Sequence, residues 1–157
     1  RLAHDMAHDL RPHGIAALAV TPGFLRSEAM LERLSVTEAN WRDAAKKDPH
    51  FAHSETPWFV GRALAHLAAD PHLLRKSGGV YASWTLAREY GFTDRDGSIP
   101  DWGVHWEGEI ARILSAKDPG PDDRFLLEVR AWQIELDPAK SDELRKIHEL
   151  LAAFDRS

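Results

Sequence analysis

The apolar positions of this chain recur at different spacings, and each spacing predicts a different element. Leu2, Ala3, Met6, Ala7 and Leu10 repeat every three or four residues, the period of one helix face, and Pro12 with Gly14 closes that helix. Residues 15–20 then form an unbroken apolar run, which suits a parallel strand covered on both faces. Pro22 cannot donate a ladder hydrogen bond and Gly23 tolerates backbone angles closed to other residues, so the pair ends the strand and lets backbone approach a ligand. Open α/β sheets bind ligands at the edge where such strands run out.

Ser27 is placed to cap a helix through Leu34, and Ser35 with Glu38 has the spacing of a capping box opening a second helix that carries Trp41. Lys46-Lys47-Asp48-Pro49 ends that helix. Residues 54–57 set up the next, whose Phe59, Val60, Ala63, Leu64, Leu67 and Ala68 form a steady stripe ending near Asp70-Pro71. Gly78-Gly79 leads into Val80-Tyr81-Ala82-Ser83-Trp84, a β-prone segment expected as the final strand. Pro119-Gly120-Pro121 reads as a hinge. Beyond it, Phe125, Leu126, Val129, Trp132 and Leu136 make one apolar face, and Leu144, Ile147, Leu150, Leu151 and Phe154 another. Joined by Asp137-Pro138, the two predict a helical hairpin that packs on the core or on a partner subunit.

Composition narrows the function. The 157 residues are 43% hydrophobic and 29% charged, ordinary for a globular domain, with a net charge of -5 and no broad basic surface for nucleic acid. No run of eighteen apolar residues and no signal-peptide pattern occurs, so no membrane role is expected and the cytoplasm is the expected location. The lack of cysteine excludes disulfides, thiolate metal sites and a cysteine nucleophile. His4 and His8 lie one helical turn apart beside Asp5 and Asp9, but without an H-E-x-x-H pattern they are assigned to a solvated face and no metal is expected. Asp94-x-Asp96-Gly97 starts like a calcium loop, lacks the later ligands and the closing glutamate, and is read as a turn.

Asp9-Leu10-Arg11-Pro12-His13-Gly14-Ile15, followed by Thr21-Pro22-Gly23-Phe24-Leu25-Arg26-Ser27, resembles the short-chain dehydrogenase/reductase family just after its catalytic helix. Ser77-Gly78-Gly79-Val80-Tyr81 resembles the family's last core strand, and Tyr90-Gly91-Phe92-Thr93-Asp94 resembles a tail seen in one branch. The resemblance implies an α/β fold. Residues 1–101 would be the C-terminal half of a doubly wound parallel-sheet Rossmann domain, substrate lid included, and residues 102–157 a helical extension. It also implies an oxidoreductase that moves a hydride between NAD or NADP and a small alcohol or carbonyl substrate.

In this family a Tyr handles the hydroxyl proton, and a neighbouring Lys lowers its pKa by favouring the phenolate. Neither the Tyr-x-x-x-Lys pair nor the glycine-rich turn is in this sequence. The resemblance places them before Arg1, so the chain is expected to be a fragment with no catalytic residue of its own. By the same resemblance, the backbone of Pro22, Gly23, Phe24 and Leu25 meets the nicotinamide amide. The Ser27 hydroxyl takes the place of the family's usual threonine. Phe24, Met30, Trp41, Phe51 and Trp58 lie in or beside the lid, where they either line a pocket for an apolar substrate or simply pack the lid. A strand edge left bare invites pairing, so either a longer parent chain, a second copy or the folded-over tail covers it, and a homo-oligomer is expected. The alternative is a non-catalytic dehydrogenase remnant serving as a dimerisation or interaction module.

Overall fold

A computed structural model describes residues 1–116, 119–135 and 137–155 of the chain, in two compact units, Arg1–Gly103 and Val104–Ser157. The helices are α1 (Leu2–Leu10), α2 (Glu28–Leu34), α3 (Pro57–Ala69), α4 (Leu73–Lys76), α5 (Ser83–Tyr90), α6 (Trp102–Ser115), α7 (Asp123–Ile134) and α8 (Ser141–Phe154). The strands are β1 (Ala19–Thr21) and β2 (Val80–Ala82). The fold is therefore α/β, mostly helical, with one small sheet. None of the described helices is long and apolar enough to cross a membrane.

The first unit is built around the parallel pair β1 and β2, in register Ala19↔Val80, Val20↔Tyr81 and Thr21↔Ala82. Parallel strands need a long crossover, and residues 22–79 supply it. As its spacing predicts, α1 runs to Leu10, and a 3-10 turn at Arg11–His13 ends at Gly14 with φ 71, a left-handed value that favours glycine. The apolar run after it forms a shorter strand than expected. Ala17 N–H donates to Ser77 Oγ at 3.0 Å and the Ala17 carbonyl accepts from Gly78 N at 2.7 Å, so regular pairing starts at Ala19. Nor is the run covered on both faces: Ile15 is 50% exposed and residues 16–20 are half-buried. Among the described residues β1 pairs with β2 alone, and Leu18 and Val20 pack on a core of Phe59, Ala63, Leu67, Leu86, Ala87 and Phe92.

Three further expectations need correction. The α3 stripe is narrower than its sequence: Phe59, Ala63 and Leu67 are buried one turn apart, in one core with Leu86, Ala87 and Phe92, while Leu64 and Ala68 are exposed. Ser83 and Trp84 do not extend the last strand. Thr85 Oγ1 accepts from Ala82 N at 3.2 Å, an N-terminal cap that turns the chain into α5 at Ser83. Ser35 is no helix start either: it ends α2 in the left-handed region, and Glu38 pairs with Arg26 instead of capping. Trp41–Lys46 and Pro49–His53 are 3-10 turns rather than a regular helix.

Among the described residues the second unit holds α6 beside the expected pair α7 and α8, and α6 contributes Ile113 to a core with Leu127, Ile134 and Ile147. On α8 the expected face is the packed one. On α7 the expected face points largely outward, with Phe125 67% and Trp132 78% exposed, and the buried row is Leu127, Arg130 and Ile134. Leu136, placed by its spacing on that outward face, lies outside the described residues.

Candidate functional site

The turn after β1, the loop before α3 and the start of α5 meet beyond the ends of the two strands. Leu25 and Glu55 form a parallel bridge, in which Glu55 N donates to the Phe24 carbonyl at 2.9 Å and Arg26 N to the Glu55 carbonyl at 2.7 Å. The Glu55 side chain is fully buried, and its Oε2 accepts from Gly23 N at 3.0 Å and from Ser83 Oγ at 2.6 Å. Its Oε1 is buried with no hydrogen-bond partner. Burial pushes the Glu55 carboxyl above the ordinary carboxylate value, the bonds from Ser83 and Gly23 pull it down, and the Asp94 charge adds a further push upward.

Gly23 is required for a close approach, here by a side chain of the chain itself. Its φ is not in the left-handed region; instead a Cβ there would sit 2.6 Å from Trp102 Cβ and 3.2 Å from Glu55 Oε2. Close approach, not backbone freedom, demands glycine. Of the residues assigned to cofactor seating, Pro22, Gly23, Phe24 and Leu25 form this half-buried turn. Ser27 ends it as the N-cap of α2, its Oγ accepting from Met30 N at 3.4 Å.

Four of the five residues assigned to the substrate gather beside the turn. Phe24 and Met30 are half-buried against Trp41 and Phe51, with the Phe24 ring edge-on to Phe51 at 5.3 Å and to Trp102 at 5.6 Å. Trp41 and Phe51 are themselves buried. Trp58 lies outside this cluster: it is 58% exposed on α3, beside a shallow cavity of about 390 Å3 with Pro57, Gly61, Arg62 and Ala65.

Arg26 anchors the cluster from below. Its side chain is 2% exposed, grips Glu38 through Nε and Nη2 at 3.1 Å, and donates from Nη1 to Ser54 O and Oγ at 3.1 Å. Its guanidinium lies 3.8 Å from the centroid of the Trp41 ring, with Arg42 at 4.4 Å. Asp94 ties in the next element: its carboxylate accepts from Thr56 N at 2.9 Å and from the Thr56 hydroxyl, fixing the start of α3. The segment that resembled a calcium loop is thus a helix-anchoring turn.

Sequence reading missed Glu55, Arg26, Ser83 and Trp102. The available hint was an acidic residue wedged between Ser54 and Thr56-Pro57 at a helix start, where only partners distant in the chain decide burial. Burial and the bond to Asp70 hold the Tyr90 phenol well above its usual range, and Tyr81 donates to the Lys76 carbonyl at 3.2 Å. His4 and His8 flank a small cavity with Arg11 and Ser77, and among the described residues no group of three or more His, Asp or Glu is disposed to hold a metal ion.

No family model matches the chain. Over 98 residues, 62% of its length, it is 39% identical to mouse (Mus musculus) Dehydrogenase/reductase SDR family member 1. It is 37% identical over the same length to the human (Homo sapiens) protein of that name. The match covers 31% of each, so the chain spans about a third of the length of the curated relatives it matches. Over that stretch the chain is homologous to the short-chain dehydrogenases/reductases, the family its motifs resemble.

Proposed function

We propose that this short-chain dehydrogenase/reductase homologue is the C-terminal, cofactor-seating and substrate-lid half of a Rossmann-type oxidoreductase. It would use NAD or NADP to interconvert a small alcohol and its carbonyl. The observation that carries the reading is the 39% identity over 98 residues to a dehydrogenase/reductase. The site supports it: a turn closed by a close-packed glycine lies at the ends of two parallel strands, the edge where such sheets take ligands.

In this reading residues 1–101 complete the Rossmann domain and residues 102–157 are its extension. The bound nicotinamide supplies or takes up the hydride. The chain's own residues hold and shield: the backbone of Pro22, Gly23, Phe24 and Leu25 meets the carboxamide, and the Ser27 hydroxyl continues that contact. Phe24 and Met30 face an apolar substrate, backed by buried Trp41 and Phe51, and exclude water from it. The proton donor is assigned to the family's Tyr-x-x-x-Lys pair in the preceding part of the domain, since Tyr90 holds its proton too tightly to serve. We place the enzyme in the cytoplasm as a homo-oligomer with a small-molecule substrate, without nucleic acid or membrane.

The test is titration of the full natural protein with NADH and with NADPH, followed by nucleotide fluorescence. Saturable binding of one of them is expected. A folded protein that binds neither overturns the reading.

A further inference from the structure

We infer that Glu55 is a positioning residue for the nicotinamide seat: its carboxyl fixes the Gly23 amide against the start of α5 and thereby sets the shape of the turn at residues 22–25. The inference rests on the oxidoreductase reading and deepens it.

Glu55 reaches that turn three times. Its main chain bonds Phe24 and Arg26 on either side of Leu25, and its Oε2 holds Gly23 N–H. The same Oε2 accepts a hydrogen bond from the hydroxyl of Ser83, a fully buried residue directly after β2. One oxygen therefore joins the exits of both strands. The other, Oε1, is buried without a partner, a costly arrangement if stability were the sole purpose, because a buried polar atom left unpaired forfeits its hydration.

Burial favours the uncharged form of the Glu55 carboxyl, and in that form Oε2 is the carbonyl that accepts both bonds. The surrounding charges agree. Asp94, from the turn after α5, pushes toward the neutral form; Gly23 and Ser83 do not titrate; Arg26 turns its guanidinium to Glu38 and Ser54. Ionising Glu55 would put an uncompensated charge beneath Gly23 and disturb the seat.

A glutamine mimics the neutral acid, because its amide oxygen can accept the same two bonds. In the full natural protein, Glu55→Gln is expected to bind the preferred nucleotide within about twofold of wild type, and to lose the wild-type weakening of binding as pH rises. Glu55→Ala is expected to weaken binding about tenfold, the scale of losing hydrogen bonds to a buried group. Should that variant fail to fold, Ser83→Ala, expected to weaken binding about threefold, and Glu55→Gln decide the matter. The inference is overturned if a folded Glu55→Ala binds like wild type, or if Glu55→Gln keeps the pH dependence. It is equally overturned if Ser83→Ala and Glu55→Gln both match wild type throughout. Wild-type protein that binds neither nucleotide would instead sink the oxidoreductase reading, and this inference with it.

Discussion

Glu55 in the first unit and Arg130 in the second are both buried ionisable side chains, and they are satisfied to very different degrees. Each nitrogen of the Arg130 guanidinium has an acceptor: Nε donates to Glu143 at 2.6 Å, Nη1 and Nη2 to the two oxygens of Glu107 at 2.8 and 3.0 Å. Burial alone would lower its pKa, yet Glu143 and Glu107 hold it above the ordinary value, and Arg130 in turn holds Glu143 below its own. Glu55 has one oxygen bonded twice and the other not at all. A network with every group paired holds three helical segments in one arrangement. A half-paired carboxyl beneath a turn is what a fold keeps for a site.

The comparison is broken most forcefully at Arg130. Arg130→Met leaves Glu143, 17% exposed, without its principal partner, and should cost about 3 kcal/mol in urea unfolding. Replacing Glu107 and Glu143 by apolar residues in the same chain should recover most of that loss. An equal loss in the single and triple variants would show that the network is not the source. Glu55→Gln should change stability by no more than about 1 kcal/mol, because it keeps both accepted bonds and leaves one amide group unpaired as Oε1 already is. A loss as large as that of Arg130→Met would reclassify Glu55 as a structural residue.

Glu55 and Glu143 should also respond to pH in opposite directions. The folded-state pKa of Glu143 is depressed below 4.5, so its contribution is present at neutral pH and is lost as pH falls through that interval. That of Glu55 is raised above 4.5: the folded chain holds this proton more tightly than the unfolded one, and stability falls as pH rises through the interval above 4.5. A tenfold difference in proton affinity between the folded and unfolded chain is worth about 1.4 kcal/mol, so both slopes are measurable in denaturant midpoints taken across pH. Arg130→Met should remove the Glu143 share of the acid-side loss, leaving that of Asp70 and Asp96, and Glu55→Gln should flatten the other slope; any exchange of these effects would contradict the assignment.

The same contrast explains what the sequence could reveal. The parallel pair, the turn that ends β1 and the buried row of α3 were legible, because strand runs, Pro-Gly pairs and fourfold spacing are local signals. The face of α7 was not. Phe125 and Trp132 are left outward while Leu126 and Ala131 pack beside Leu127 and Ile134, and the buried row includes an arginine whose burial depends on Glu107 and Glu143, 23 and 13 residues away. Glu55 was hidden for the same reason, its partners Gly23 and Ser83 lying 32 and 28 residues off. Glycine at position 23 was anticipated, but its cause, the Trp102 side chain packed against it, could not be read locally.

The smallest expected effect separates seat from scaffold at the turn itself. Ser27 caps α2 through a long bond of 3.4 Å to Met30 N, so Ser27→Ala should cost only about 0.5 kcal/mol, the low end for a lost cap. A cap and a ligand contact make different demands on the side chain. Ser27→Asp, which restores a capping oxygen, should return the stability without returning nucleotide affinity, since it brings a negative charge toward an anionic cofactor. Ser27→Thr should keep both, because it preserves the hydroxyl. If Ser27→Ala loses no more affinity than its small stability change explains, Ser27 belongs to the scaffold, and the seat ends at Leu25.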